Sequence, residues 1–273
     1  MSLTADHGLF GPDSISWRID REVLVLAGGS CALLMQLAHP AVAAGVAEHS
    51  DFRADPFARL RRTLAATYAV VFGSTPRAER AIRRMTAIHA SVAGTVPETG
   101  EPYSALDPAL LLWVHATLVD TAIRVYDRFV ARLSDEEAEA YHAEARQIAV
   151  RLGASDASLP STLKDLRAEM DRLISSGEVR VSATASSLAP ALLYPTRFPP
   201  RPVWDLAHLV SLSVLPPAIR SGYGIRWSRR HERGVDLLAA VSRRVMPYVP
   251  DPLRNVPAAR SAERRLRRAG AAR

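Results

Sequence analysis

Cysteine, lysine and aromatic residues are all scarce in this sequence. Cys31 is the only cysteine, which excludes a disulfide framework, a thiolate zinc site and a Cys-x-x-Cys-His haem attachment. Aromatic residues make up 6% of the chain and do not alternate with basic residues, so no surface that stacks nucleic-acid bases is indicated. Lys164 is the only lysine. With so little cysteine, we expect a cytoplasmic protein.

Several common motifs are also missing. The chain has no Gly-x-Ser-x-Gly, no phosphate-binding loop and no His-Glu-x-x-His, which removes the simplest support for a hydrolase, a nucleotide-binding protein or a zinc protease. The first twenty residues are too polar for a signal peptide. The longest apolar run, Val23–Ala38, is interrupted by Gly28 and Gly29 and is shorter than the roughly 18–20 residues that span a bilayer.

The charge balance is basic but spread along the chain. The 273 residues carry a net charge of +7, part of which is a cluster of arginines after residue 259. Without a binding motif, this excess does not indicate a nucleic-acid partner. A peripheral membrane contact through the basic tail and the proline-rich segment is a weaker alternative that rests on charge alone. The sequence does not indicate an oligomeric state.

Apolar periodicity predicts an almost entirely helical protein. Three- and four-residue spacing recurs in most segments and strand patterning is rare, so we predict an all-α fold that forms a single large helical bundle with a proline-rich C-terminal segment. We predict three regions: an irregular arm at 1–21, a helical domain at 22–250 and a disordered basic tail at 251–273.

Two predicted helices each contain a histidine among apolar residues. The first begins at Thr75-Pro76 and ends before Gly94, and its spacing places His89 on the apolar stripe. The second opens at Asp107-Pro108 and is apolar on nearly every face, so its polar residues need partners. These polar residues are His115, Thr117, Asp120 and Thr121. They either bond one another or face a ligand.

Two kinds of iron site can be compared with these helices. A carboxylate di-iron site needs two Glu-x-x-His pairs, and the chain has one such pair, at Glu139 and His142, which we interpret as part of an exposed polar face. A haem site needs an apolar slot, an imidazole ligand and polar groups on the open face. His89 or His115 can supply the imidazole, and Arg59, Arg62 and Thr63 share one face of another predicted helix.

A set of ordered motifs resembles one known family. The motifs are QLAHPAVAAGVAEHS at 36–50, DPFARLRRT at 55–63, HASVAG at 89–94, YSALDP at 103–108 and LWVH at 112–115. Together they resemble the mpaB/rubber-oxygenase catalytic-domain family, which includes the latex-clearing proteins, over roughly residues 20 to 245.

The resemblance implies a globin-reminiscent helical bundle that binds a non-covalent b-type haem. It assigns the proximal iron ligand to His89, with His115 as the alternative, and the distal Arg-x-x-Lys-Thr motif to Arg59, Arg62 and Thr63. Arg62 stands where latex-clearing proteins have lysine. Because a guanidinium stays protonated and is a poor iron ligand, we do not expect a lysine-capped resting state.

From these observations we predict a haem-dependent oxygenase. Its partners would be dioxygen and a small apolar or unsaturated molecule of isoprenoid, lipid or polyketide type. The alternative is a non-catalytic protein that binds haem or an apolar ligand.

Overall fold

The computed structural model describes residues 6–50, 56–194 and 200–271, without the side chains of 56–59, 207, 270 and 271. The N-terminal helices are α1 Ile15–Asp20, α2 Gly29–Ala38, α3 Pro40–His49, α4 Pro56–Phe72 and α5 Thr75–Ala90. The central helices are α6 Pro108–Val125, α7 Asp135–Arg151, α8 Leu163–Ser175 and α9 Ala183–Leu193. The last helices are α10 Arg201–Val214, α11 Pro217–Gly222, α12 Arg229–Val245, α13 Asp251–Arg254 and α14 Pro257–Ala271. The predicted all-α bundle is confirmed.

Helix α6 forms the centre of the bundle. It packs against α2, α7, α8 and α10, and a π-helical turn, Tyr126–Val130, extends it. The Trp113 indole donates a hydrogen bond of 3.1 Å to the Met35 carbonyl, which fixes α6 against α2. The segment Pro108–Val130 is long and apolar enough to cross a membrane, but 56% of its most apolar window is buried. The core helix of a globular protein has the same length and apolar composition as a membrane-spanning helix.

The apolar run before His39 is divided into two helices. Val23–Gly28 forms a 3-10 helix and Gly29–Ala38 forms α2. Gly28 lies so close to α6 that a Cβ atom there would stand 2.8 Å from the Val125 side chain. His39-Pro40 ends α2, because proline restricts the residue before it, and the chain bends by 105° before α3. The His39 ring then accepts a hydrogen bond from the Ala41 backbone at the start of α3.

The loop predicted between the two histidine-containing helices contains a short antiparallel ladder. Strand β1, Ala93–Thr95, pairs with β2, Pro102–Ser104, so Gly94 lies in a strand and does not simply terminate α5. The turn between the strands includes Gly100 at φ +73°, which only glycine adopts without strain. The Tyr103 hydroxyl on β2 donates a 2.8 Å hydrogen bond to Glu48 and holds the ladder against α3.

Both ends of the chain differ from the prediction. The arm at 1–21 contains α1, whose Trp17 is fully buried, and the described part of the predicted disordered tail forms α13 and α14. Trp17 packs edge-on against Phe72 at 5.0 Å, in a cluster that also contains Ala259 and Ala262. The tail is ordered because small apolar residues among its arginines are buried against α1 and α4.

Candidate functional site

Helices α4 and α5 form the hairpin that carries most of the predicted site. Only Gly73 and Ser74 separate the two helices, so they pack antiparallel and the start of α4 lies beside the end of α5. Gly73 permits this connection, since a Cβ atom there would lie 2.1 Å from the Ala69 carbonyl oxygen. The hairpin therefore brings the Arg-x-x-Arg-Thr segment and His89 to the same end.

Two of the three predicted distal residues have described side chains. Arg62 and Thr63 are both exposed on α4, and the backbone carbonyl of Thr63 accepts a hydrogen bond of 3.1 Å from Thr67. The side chain of Arg59 lies outside the described residues. Within the described part of the chain Arg62 forms no ion pair.

His89 is half-buried near the end of α5. Its Nδ1 atom is buried and has no hydrogen-bond partner among the described residues. Burial lowers the pKa of the ring, so the imidazole is neutral at neutral pH. A neutral imidazole with an unpartnered buried nitrogen is suited to bind a metal or accept a proton. The neighbouring Ile88 is 53% exposed.

Three of the four polar residues of α6 have protein partners. Thr117 accepts a 3.2 Å hydrogen bond from Gln36 and donates one to the Val114 carbonyl. Asp120 is buried and receives hydrogen bonds from Arg124 and from Arg167 at 2.8 Å. Thr121 donates to the Cys31 sulfur. These contacts explain how α6 carries polar residues in a core without a ligand.

His115 is the fourth residue and differs from the other three. Its Nε2 atom is buried and has no hydrogen-bond partner among the residues described. Burial, with a smaller contribution from the nearby His142, lowers the pKa of His115 to about 4. His115 is thus a neutral imidazole with a free buried nitrogen, as His89 is.

The two candidate imidazoles lie in different helix interfaces. Helix α5, which carries His89, packs on α4, whereas α6, which carries His115, packs mainly on α2, α7, the 3-10 helix Val23–Gly28 and the π-helical turn. Arg62, Thr63 and His89 therefore share the α4–α5 hairpin, and His115 lies towards α7, near His142. Either neutral imidazole is chemically suited to ligate haem iron. Only His89 lies in the same hairpin as the predicted distal residues. The described residues contain no group of three or more His, Cys, Asp or Glu side chains able to hold a metal ion.

The prediction for Glu139 and His142 was wrong. His142 is buried, with Nε2 3.1 Å from the Pro160 carbonyl, and Glu139 accepts hydrogen bonds from the Leu163 backbone at the start of α8. The pair thus joins α7 to the segment before α8. The i, i+3 and i+4 spacing of Ala138, Tyr141 and Ala145 with His142 is the sequence signal for this buried face.

Comparisons with known proteins identify the family. Residues 17–244 match the family model described as "ER-bound oxygenase mpaB/B'/Rubber oxygenase, catalytic domain". The chain is 26% identical over 228 residues to the uncharacterized proteins Mb2261 of Mycobacterium bovis and Rv2237 of Mycobacterium tuberculosis, with 80% of this chain and 87% of each relative covered. No solved structure matches the chain significantly. The chain therefore belongs to the mpaB/rubber oxygenase catalytic-domain family.

Proposed function

We propose that this oxygenase-family protein binds a b-type haem at the α4–α5 hairpin and oxidises a small apolar or unsaturated substrate. One observation carries the proposal: the neutral imidazole of His89 has an unpartnered buried nitrogen and lies in the same hairpin as Arg62 and Thr63. Haem iron, when bound, would supply the activation of dioxygen.

The residues of the hairpin have distinct roles in this proposal. His89 holds the iron, and its lowered pKa keeps the ring in the neutral form that ligation requires. Thr63 and Arg59 would donate hydrogen bonds to the dioxygen that the haem activates. Arg62 presents a cationic guanidinium group and has no ion-pair partner in the described structure, so it would anchor a haem propionate or a polar end of the substrate.

The substrate class rests on the family and on the composition of the chain. The family description names rubber, an apolar unsaturated polymer, for some of its members. We propose a smaller molecule of the same chemical character, such as an isoprenoid, lipid or polyketide, for this chain. We also propose that the protein acts in the cytoplasm, where its single, buried cysteine stays reduced.

An absorption spectrum of the purified protein loaded with haem tests the cofactor and its ligand. We expect a Soret band that is lost in His89→Gly and restored by added imidazole, because free imidazole can occupy the space left by the ring. His115→Ala should keep the band, and His231→Ala, which changes an exposed histidine, is the matched control. Loss of the band in His115→Ala alone would transfer the ligand role to His115.

Two other outcomes would contradict the proposal. A wild-type protein with a native circular-dichroism spectrum and no Soret band would refute haem binding. A haem spectrum that does not change with carbon monoxide or cyanide would indicate a coordinatively saturated iron, and would favour the non-catalytic haem-binding alternative over an oxygenase.

A further inference from the structure

Helix α12 carries a row of apolar side chains on the surface of the protein. Leu237, Val241 and Val245 are 68%, 51% and 47% exposed, and their spacing of four residues aligns them along one face. Tyr248, which is 84% exposed, ends the 3-10 turn Met246–Tyr248 that follows the helix. Helix α10, which packs beside α12, also exposes Val203 and Leu206. A continuous exposed row of this kind marks a binding surface more often than scattered apolar residues do.

The opposite face of α12 is fixed to the bundle. Val235 and Ala239 are buried in a cluster with Phe129 and Val210. The Ser242 hydroxyl and the Arg243 guanidinium each donate a 2.6 Å hydrogen bond to carbonyls of the π-helical turn, at Phe129 and Arg128. Because these contacts set the rotation of the helix, the exposed row cannot turn into the core.

The charges of α12 are divided between its two sides. Both acidic residues of α12 accept hydrogen bonds from other side chains of the protein. Glu232 accepts one from the Trp227 indole, and Asp236 accepts one of 2.9 Å from Arg128. Helical spacing places Arg230, Arg233 and Arg244 on the outward side with the apolar row. These three arginines are exposed and form no ion pair in the part of the chain that the structure describes. The outward face of α12 therefore carries the apolar row and unpaired arginines, while Asp236, whose side chain is 71% exposed, lies at the side of the helix and pairs with Arg128.

We propose that the outward face of α12 docks on the surface of an anionic lipid bilayer. An apolar row flanked by arginines is the pattern of helices that lie in the membrane interface, where the apolar side chains enter the acyl boundary and the cations meet lipid phosphates. Tyrosine at the end of the row suits the same interface. A second copy of the chain is a poorer partner, because a symmetric contact would oppose the unpaired arginines of both copies. The proposal does not depend on haem binding.

Vesicle co-sedimentation of the full-length protein tests this docking. We expect binding to vesicles of phosphatidylcholine mixed with phosphatidylglycerol, weak binding to phosphatidylcholine alone, and weakening by salt. Leu237→Glu with Val241→Glu should reduce the vesicle affinity by at least about tenfold. Arg230→Glu, Arg233→Glu and Arg244→Glu together should remove the preference for the anionic vesicles.

Matched controls separate α12 from general effects of charge and exposure. Leu118→Glu changes a leucine of α6 that is 52% exposed and should leave binding unchanged. Arg264→Glu, Arg267→Glu and Arg268→Glu make the same change in net charge on α14, and should retain most of the binding. Circular dichroism checks that each variant is folded.

Three results would overturn the proposal. The first is no binding of the wild-type protein to the anionic vesicles. The second is equal loss of binding in the α12 and α14 charge variants, which would show that net charge alone attracts the protein. The third is a concentration-dependent dimer, detected by light scattering, that Leu237→Glu with Val241→Glu dissociates.

Discussion

The Tyr141 hydroxyl on α7 donates a hydrogen bond of 2.9 Å to the carboxylate of Asp20 at the end of α1. Loss of hydration raises the pKa of Asp20 to about 7; the Tyr141 hydrogen bond opposes this rise and the nearby Glu144 adds to it. The contact joins α1 to α7. Its acceptor, Asp20, stays protonated to a higher pH than an ordinary aspartate does.

We expect Asp20 to make the stability of the protein depend on pH. Between the unfolded pKa near 3.8 and the folded pKa of about 7, the folded state holds a proton that the unfolded state has lost. The free energy of unfolding therefore decreases as the pH rises through this window, by on the order of 4 kcal/mol in total. Asp20→Asn should remove this decrease, because the amide oxygen still accepts from Tyr141 and carries no charge.

Urea unfolding of the wild type and Asp20→Asn from about pH 4 to about pH 8 measures the effect. The difference between the two proteins isolates Asp20 from other titrating groups. A constant difference over the whole range would show that the folded Asp20 titrates as an ordinary carboxylate.

Gly28 and Gly29 provide a matched pair for the contact between the 3-10 helix and α6. A Cβ atom at Gly28 would lie 2.8 Å from Val125 and 2.9 Å from Thr121, whereas one at Gly29 would meet no atom within 4 Å. Gly28→Ala should lower the free energy of unfolding by about 1–3 kcal/mol. Gly29→Ala should leave it unchanged or raise it by about 0.5–1 kcal/mol. Equal effects in chemical denaturation would contradict the close packing at Gly28.

Arg254 pairs with a buried acid and ties the C-terminal segment to the bundle. Its guanidinium contacts Glu22 at 2.8 Å, and the Glu22 side chain is only 3% exposed. Arg254→Ala leaves that carboxylate without its partner, so we expect a loss of about 2–4 kcal/mol in stability. Arg268→Ala, an exposed arginine of α14, should be neutral in the same thermal or urea unfolding experiment. A neutral Arg254→Ala would mean that water or another cation replaces the guanidinium.

Arg62 offers a spectroscopic test of the proposed distal face. A lysine amine can lose its proton and bind iron, whereas a guanidinium cannot at any accessible pH. In the haem-loaded protein, Arg62→Lys should therefore give a six-coordinate absorption spectrum as the pH rises and slow the binding of carbon monoxide. Arg61→Lys, the neighbouring exposed arginine, should behave as wild type. Identical spectra for both variants would place Arg62 away from the iron.

The sequence predicts the helices better than it predicts their partners. Unbroken apolar character identified α6 as a core helix, but the residue that satisfies Thr117 is Gln36, 81 positions away on α2. No local pattern contains that pairing. Likewise, many arginines made residues 251–273 resemble a solvated tail, although Ala259 and Ala262 are buried. The many arginines of this segment led to the prediction of a disordered tail, although its small apolar side chains recur at three-residue spacing.

The candidate site also has one part that could be predicted from the sequence and one part that could not. The motifs brought Arg59, Arg62, Thr63 and His89 together because they lie in two consecutive helices joined by a tight turn, and such neighbours can be predicted from sequence. The separation of His115 from this hairpin could not be predicted, since it depends on which side of α6 packs against α7. The burial of His142 follows from the same packing.

The cluster around Trp17 also limits how early during synthesis the contacts of α1 with the C-terminal segment can form. Trp17 packs with Ala259 and Ala262 as well as with Phe72, and Glu22 forms a bridge with Asn255, so α1 and the residue after it have C-terminal partners more than two hundred residues away. During synthesis α1 cannot reach these C-terminal partners until almost all of the described chain has left the ribosome. Contacts across such long loops form late and slowly. Until then the side of the Trp17 indole that the C-terminal segment covers lacks those neighbours, and only early partners such as Phe72 can pack against the ring.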